Sequence, residues 1–198
     1  MMVRTIRNLG FLGVLAGALL VSGLVIAGDT GMMNDESARF FDEFRLGVFA
    51  HDLDGNGQRR EDGANINAEL LFAAPQIDFG NPLANFFFTP RPHIGASVNS
   101  SGGTSSAYAG FTWELPIYGP IFVEGTFGGA IHNGETKLVD PNMQPLGCRA
   151  LFRESASIGA DISENMRLLA TINHMSNSGL CDLNPGITDV GVSLGYRF

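Results

Sequence analysis

The chain has 198 residues, a formal charge of −8, 26 glycines, 15 phenylalanines and only 16% charged residues. That length holds one domain or two small ones, and the acidic balance excludes the basic surface that nucleic-acid binders need. A phenylalanine-rich, charge-poor composition also excludes a disordered chain and points to glycine-containing strands with aromatic girdles.

Residues 1–8 carry Arg4 and Arg7 without an acid, residues 9–26 are almost wholly apolar, and Val25-Ile26-Ala27 stands before Gly28-Asp29. This is the basic start, apolar stretch and cut site of a secretory signal over residues 1–27; the competing reading is an uncleaved anchor helix. Residues 28–43 are polar and read as a short periplasmic segment, and residues 44–198 as one barrel.

From Phe44 the pattern is an alternation of period two, the mark of strands with one apolar face. Phe44, Leu46 and Val48 alternate with Arg45, Gly47 and Phe49; Ile66, Ala68 and Leu70 alternate with Asn65, Asn67 and Glu69. Residues 91–98, 107–115 and 121–129 continue it, as do 166–176 and 188–198. The sixth strand, 148–160, is irregular: Arg153 and Glu154 are adjacent, so one of them faces the apolar side unless a bulge intervenes. The connection after strand two, 73–83, is longer than the other turns at its end, and its strand boundary is vague.

An even strand count, one apolar face, long polar loops at one end and a terminal Gly-Tyr-Arg-Phe predict an all-β fold, an eight-stranded antiparallel transmembrane β-barrel of the bacterial outer membrane. A soluble lipid-binding barrel is the alternative and would turn its apolar face inward. Arg45, Arg91, Arg167 and Arg197 with Glu69, Glu114 and Glu124 are expected to neutralise one another in a lumen too narrow for a broad pore.

On the seventh strand the lipid-facing parity of Met166, Leu168, Ala170 and Ile172 continues to His174 and Ser176. Residues i and i+2 share a face, roughly 6.5–7 Å apart along the strand. A serine beside a histidine can form an acyl-transfer nucleophile, and on the outer wall its substrate would be a lipid ester. The plainer reading is a pair of interfacial polar residues where the strand leaves hydrocarbon.

His174-Met175-Ser176-Asn177-Ser178-Gly179-Leu180 followed by Asn184-Pro185-Gly186-Ile187 resembles the outer-membrane lipid A 3-O-deacylase (PagL-like, acyloxyacyl hydrolase) family. The resemblance implies a carboxylic ester hydrolase acting on lipid A of lipopolysaccharide, with no cofactor and no metal. It makes Ser176 the nucleophile, His174 the general base, and Asn177 with the amide of Gly179 the oxyanion stabiliser. The family prototype has a Glu after its Asn-x-Gly-Ile segment to orient the histidine; Thr188 stands there in this chain. Asp189 is adjacent but should face the lumen, so it orients His174 only if a bulge turns it outward. A catalytically degenerate structural or adhesive barrel is the rival function, and a homodimer is one allowed assembly.

Cys148 and Cys181 fall at the same rim, where export permits a disulfide bracing the loop after strand seven; the alternative is two thiols too far apart to join. Asp52-Leu53-Asp54-Gly55-Asn56-Gly57 starts like a calcium loop, but its twelfth position is Gly63, where a bidentate Glu is required; a polar surface loop is the expectation.

Overall fold

The computed structural model describes residues 40–53 and 60–198. The signal over residues 1–27, the segment up to residue 39 and most of the calcium-like motif lie outside the described residues.

The strands are β1 (Phe41–Ala50), β2 (Ala64–Phe72), β3 (Arg91–Asn99), β4 (Ser106–Tyr118), β5 (Ile121–His132), β6 (Ala150–Asp161), β7 (Met166–Ser176) and β8 (Ile187–Arg197). Each pairs with the next, and β8 pairs antiparallel with β1 to close the barrel. Closure removes both sheet edges, so no backbone group at membrane depth is left without a partner strand. The barrel begins at Phe41 rather than Phe44. The register shifts between Phe41 and Glu43, and a bulge at Asp42 hides the parity of those first residues from a period-two reading.

The two faces separate as the alternation requires. Leu46, Val48, Ile66, Ile94, Phe127, Ile158, Val192 and Leu194 are exposed on the outer wall, while Arg45, Asn65, Glu69, His93, Arg153 and Arg167 are buried inside. A soluble barrel would show the reverse, and that alternative is excluded.

Arg45 meets Glu43 at 2.6 Å, Glu124 at 2.7 Å and Glu69 at 3.3 Å. Arg91 reaches Asp42, Glu43, Glu114 and Glu124, and Arg167 reaches Glu43, Glu114 and Asp161, all within 3.2 Å. Arg197 lies 3.3 Å from Glu114. The interior is a packed ion-pair network of the expected kind, and Glu43, which precedes the first residue of the alternating pattern, is a central member of it.

The β2–β3 connection contains a short helix, α1 (Pro82–Phe88), which the alternation did not predict. Asn81 caps it, accepting from the amides of Leu83 at 2.9 Å and Ala84 at 3.2 Å, and Pro82 opens its first turn. Its Phe86-Phe87-Phe88 run has the composition of a strand, but the Asn-Pro start dictates a helix entry. Trp113 of β4 donates from Nε1 to the Phe87 carbonyl at 3.2 Å and ties the helix to the barrel wall.

Candidate active site

Among the described residues, the outward positions of the eight strands are apolar or aromatic, save for Asp42 at the β1 bulge and for Glu154, His174, Ser176 and Thr188. Those last four are neighbours. Thr188 of β8 and Glu154 of β6 stand opposite His174 on its two flanks, and Phe152 stands opposite Ser176. Strand parity thus puts His174 and Ser176 on the outer face of β7, at its loop-side end.

His174 Nδ1 lies 2.8 Å from Thr188 Oγ1. The ring edge away from Thr188 faces Gly186: a Cβ there would sit 2.6 Å from Cε1 and 2.9 Å from Nε2, and Gly186 has φ +70°. Glycine is therefore required at 186 both by backbone conformation and by the space the imidazole occupies. No hydrogen bond joins Ser176 to His174, and the Ser176 hydroxyl has no partner among the described residues.

The loop after β7 is held firmly. Asn177 is buried; its Nδ2 donates to the carbonyls of Leu146 at 2.9 Å and Leu183 at 2.6 Å, and its Oδ1 accepts from the Gly179 amide at 2.9 Å. The Asn177 amide donates to Asn184 Oδ1 at 2.9 Å. So the donors that the sequence reading aimed at an oxyanion, Asn177 and Gly179, are engaged in building the loop. Asn184 was missed as a loop-shaping residue; the Asn-Pro-Gly run signalled a turn but not this contact. Cys148 and Cys181 form a disulfide with Cα atoms 6.0 Å apart, which joins this loop to the start of β6.

Beside Ser176 the outer wall is hollowed. Phe127, Gly129, Ala150, Phe152, Cys148 and Leu180 line an apolar groove of about 410 Å³. Phe127 and Phe152 stack with ring centroids 6.1 Å apart and planes 19° from parallel. A Cβ at Gly125 would meet nothing, and one at Gly129 only the Leu151 carbonyl at 3.8 Å, so the two glycines leave room along the wall.

The family model for lipid A 3-O-deacylase (PagL) matches residues 84–197, more than half of the chain. The chain belongs to the lipid A 3-O-deacylase family. It is an outer-membrane ester hydrolase of the lipid A deacylase type. The barrel is similar to the crystal structure of the outer membrane enzyme PagL, with a TM-score of 0.58 and 19% identity over 79% of this chain and 99% of that one. At that identity the likeness concerns the fold. A barrel from the de novo design of transmembrane β-barrels matches at a TM-score of 0.48 and 9% identity, over 81% of this chain and 97% of that one. The N-terminal β-barrel domain of Pseudomonas aeruginosa OprF matches at 0.48 and 11%, over 79% and 98%. No curated protein matches the chain.

Asp189 keeps the lumen-facing side that strand parity gives it. Its carboxylate accepts there from the Asp52 amide at 3.0 Å and from Asn65 Nδ2 at 2.8 Å, and lies 2.9 Å from His51 Nδ1. The register of β7 with β8 runs unbroken past it, so no bulge turns it outward, and it does not reach His174. A homodimer finds no support in the described chain. Among the described residues, no group of three or more His, Cys, Asp or Glu side chains is placed to hold a metal ion.

Asp189 instead belongs to a latch at the loop-side mouth. His51 is fully buried between Asp189 and Glu61, whose Oε2 lies 3.1 Å from Nε2. Glu61 also accepts from the amide of Thr104 and, at 2.8 Å, from the amide of Gln144, so three loops converge on it. Burial opposes charge on His51, but the hydrogen bonds and charges of Asp189 and Glu61 outweigh it and raise the imidazole from 6.5 to about 9. Burial likewise raises Glu61, and the His51, Gln144 and Thr104 hydrogen bonds outweigh it and hold the carboxyl below its ordinary value.

The raised histidine contributes stability that is fully present below its ordinary pKa and is lost as pH rises through about 9. The lowered carboxyl contributes stability that is present above its ordinary pKa and is lost as pH falls through its folded value. The thermal midpoint of the folded barrel in detergent is therefore expected to drop between about pH 6.5 and 9 in the wild type and much less in His51→Asn. Equal drops in both proteins would remove the latch from the account.

Proposed function

We propose that this deacylase cleaves the 3-linked acyl ester of lipid A on its lipid-facing wall, with Ser176 as nucleophile and His174 as general base. The observation that carries the reading is that, among the described residues, every outward polar side chain of the strands except Asp42 at the β1 bulge falls in one cluster beside an apolar groove. Hydrocarbon-facing polar groups are costly, and a structural barrel has no use for a hydroxyl and an imidazole there.

With Thr188 accepting from Nδ1–H, the imidazole keeps its Nε2 lone pair for a proton. Ser176 Oγ attacks the ester carbonyl carbon as its proton passes to Nε2. The tetrahedral intermediate then collapses, the C–O bond to the sugar breaks, and the imidazolium returns the proton to the departing sugar oxygen. Water, deprotonated by the same nitrogen, hydrolyses the acyl-serine and frees the fatty acid. Ser176 and His174 share one face of β7, roughly 6.5–7 Å apart along the strand, and such catalytic bonds often tighten only with substrate bound. For the oxyanion, Asn177 and Gly179 would have to release loop bonds. The Ser178 amide and the Asn184 NH2, both without partners among the described residues, need no such release.

The test is the refolded protein in detergent with lipopolysaccharide, followed by mass spectrometry of lipid A. Loss of one hydroxyacyl group supports the reading, whereas unchanged lipid A from a folded barrel returns the chain to the degenerate, structural or adhesive alternative. The groove gives a second check. Gly129→Leu has room on the wall and should place its side chain where the acyl chain lies, lowering kcat/KM by about 10- to 100-fold. An unaltered kcat/KM would mean that the acyl chain lies elsewhere.

A further inference from the structure

We infer that Glu154 is the positioning carboxylate of this site, stabilising the His174 imidazolium from the β6 side. The inference rests on the Ser176–His174 reading.

The starting point is the adjacency of Arg153 and Glu154 in a strand whose neighbours alternate. The registers of β6 with β5 and with β7 are unbroken, so no bulge reconciles the two charges. Arg153 takes the inner face, buried, with its guanidinium carbon 3.8 Å from the centre of the Tyr108 ring. Glu154 is left on the outer wall, directly across from His174. Residues directly opposite in an antiparallel pair have Cβ atoms about 4.5–5.5 Å apart, within reach for a glutamate and an imidazole.

Glu154 has no hydrogen bond or ion pair among the described residues, so it is not committed to a structural role. A carboxylate on a lipid-facing wall is unfavourable unless a partner offsets it, and the polar group opposite it is His174. The other register neighbours of His174 on the same face are Phe152 and Ala156 of β6, Gly186 and Val190 beside β8, and Ile172 and Ser176 of its own strand. None of them supplies a negative charge. Thr188 can fix the tautomer through Nδ1, but a hydroxyl cannot neutralise the imidazolium that forms during the reaction; a carboxylate can. The row Glu154–His174–Thr188 thus divides between two strands the orientation and charge stabilisation that one acid supplies in a Ser-His-Asp arrangement.

The experiment compares wild type, Glu154→Gln, Glu154→Asp and Glu154→Gln/Thr188→Glu, each refolded and checked for a heat-modifiable band. Two readouts are taken: kcat and KM on lipopolysaccharide, and the imidazole 15N resonances of His174 in detergent micelles. The expected result is a fall in kcat of about 100-fold in Glu154→Gln with KM little changed, partial recovery in Glu154→Asp, and recovery in the double variant, where a carboxylate is returned from the other flank. The His174 resonances should move in Glu154→Gln and return toward wild type in Glu154→Asp. Active wild type with His174 resonances and kcat unmoved in Glu154→Gln overturns the inference and leaves the deacylase reading standing. Moved resonances in a wild type that leaves lipid A intact would uphold the Glu154–His174 pairing and overturn the deacylase reading instead.

Discussion

Ser176→Ala is expected to lower kcat for lipid A deacylation by about 10³-fold or more, with KM within a few-fold of wild type. The hydroxyl has no partner among the described residues, so its loss leaves no unsatisfied group there and no cavity of consequence. The variant should fold to the same heat-modifiable barrel. His174→Ala should cost a comparable factor, and the double variant no more than either single change, because nucleophile and base act as one unit. Initial rates of hydroxy-fatty-acid release, read by mass spectrometry, decide the matter. Additive losses would mean that the two residues do not act on the same step.

Arg45→Met should lower barrel stability by about 3–5 kcal/mol. Arg45 is buried and bonded to Glu43, Glu69 and Glu124 together. Removing it leaves Glu43 and Glu124 enclosed with one cation fewer, while Arg91 must serve both. The interior cannot rehydrate easily, since Tyr108, Leu71 and Leu169 fill the lumen beside the charges. Urea unfolding and refolding midpoints in detergent measure the loss. A change below about 1 kcal/mol would show that water reaches the network and screens it.

Most of the barrel was legible because the membrane imposes a strict rule: each strand must alternate, and outward positions must be apolar. Where the rule breaks locally, the sequence misleads. The bulge at Asp42 concealed the start of β1 and with it Glu43, the acid that touches Arg45, Arg91 and Arg167. The aromatic run of α1 has the composition of a strand, although the Asn-Pro pair before it carries a helix-start signal.

The candidate site stands out by the same rule, since His174 and Ser176 depart from the apolar parity of β7. The violation at Glu154 was visible too, as an unexplained neighbour of Arg153. Its meaning depended on which residue of β7 stands opposite, and inter-strand register cannot be read from one strand's pattern. Asn177 shows the opposite failure. Residue type and position suit an oxyanion donor, yet the side chain is spent on the Leu183 carbonyl of its own loop and on the Leu146 carbonyl, which only the folded β5–β6 loop brings near.

The most direct test of the central claim is to treat the folded wild-type barrel with an alkyl fluorophosphonate, which phosphonylates a serine activated by a general base. Tandem mass spectrometry of the digested protein then locates the adduct. One adduct per chain is expected, on Ser176, absent from Ser176→Ala and slowed in His174→Ala. No adduct on a folded barrel, or an adduct on another serine, would contradict that claim.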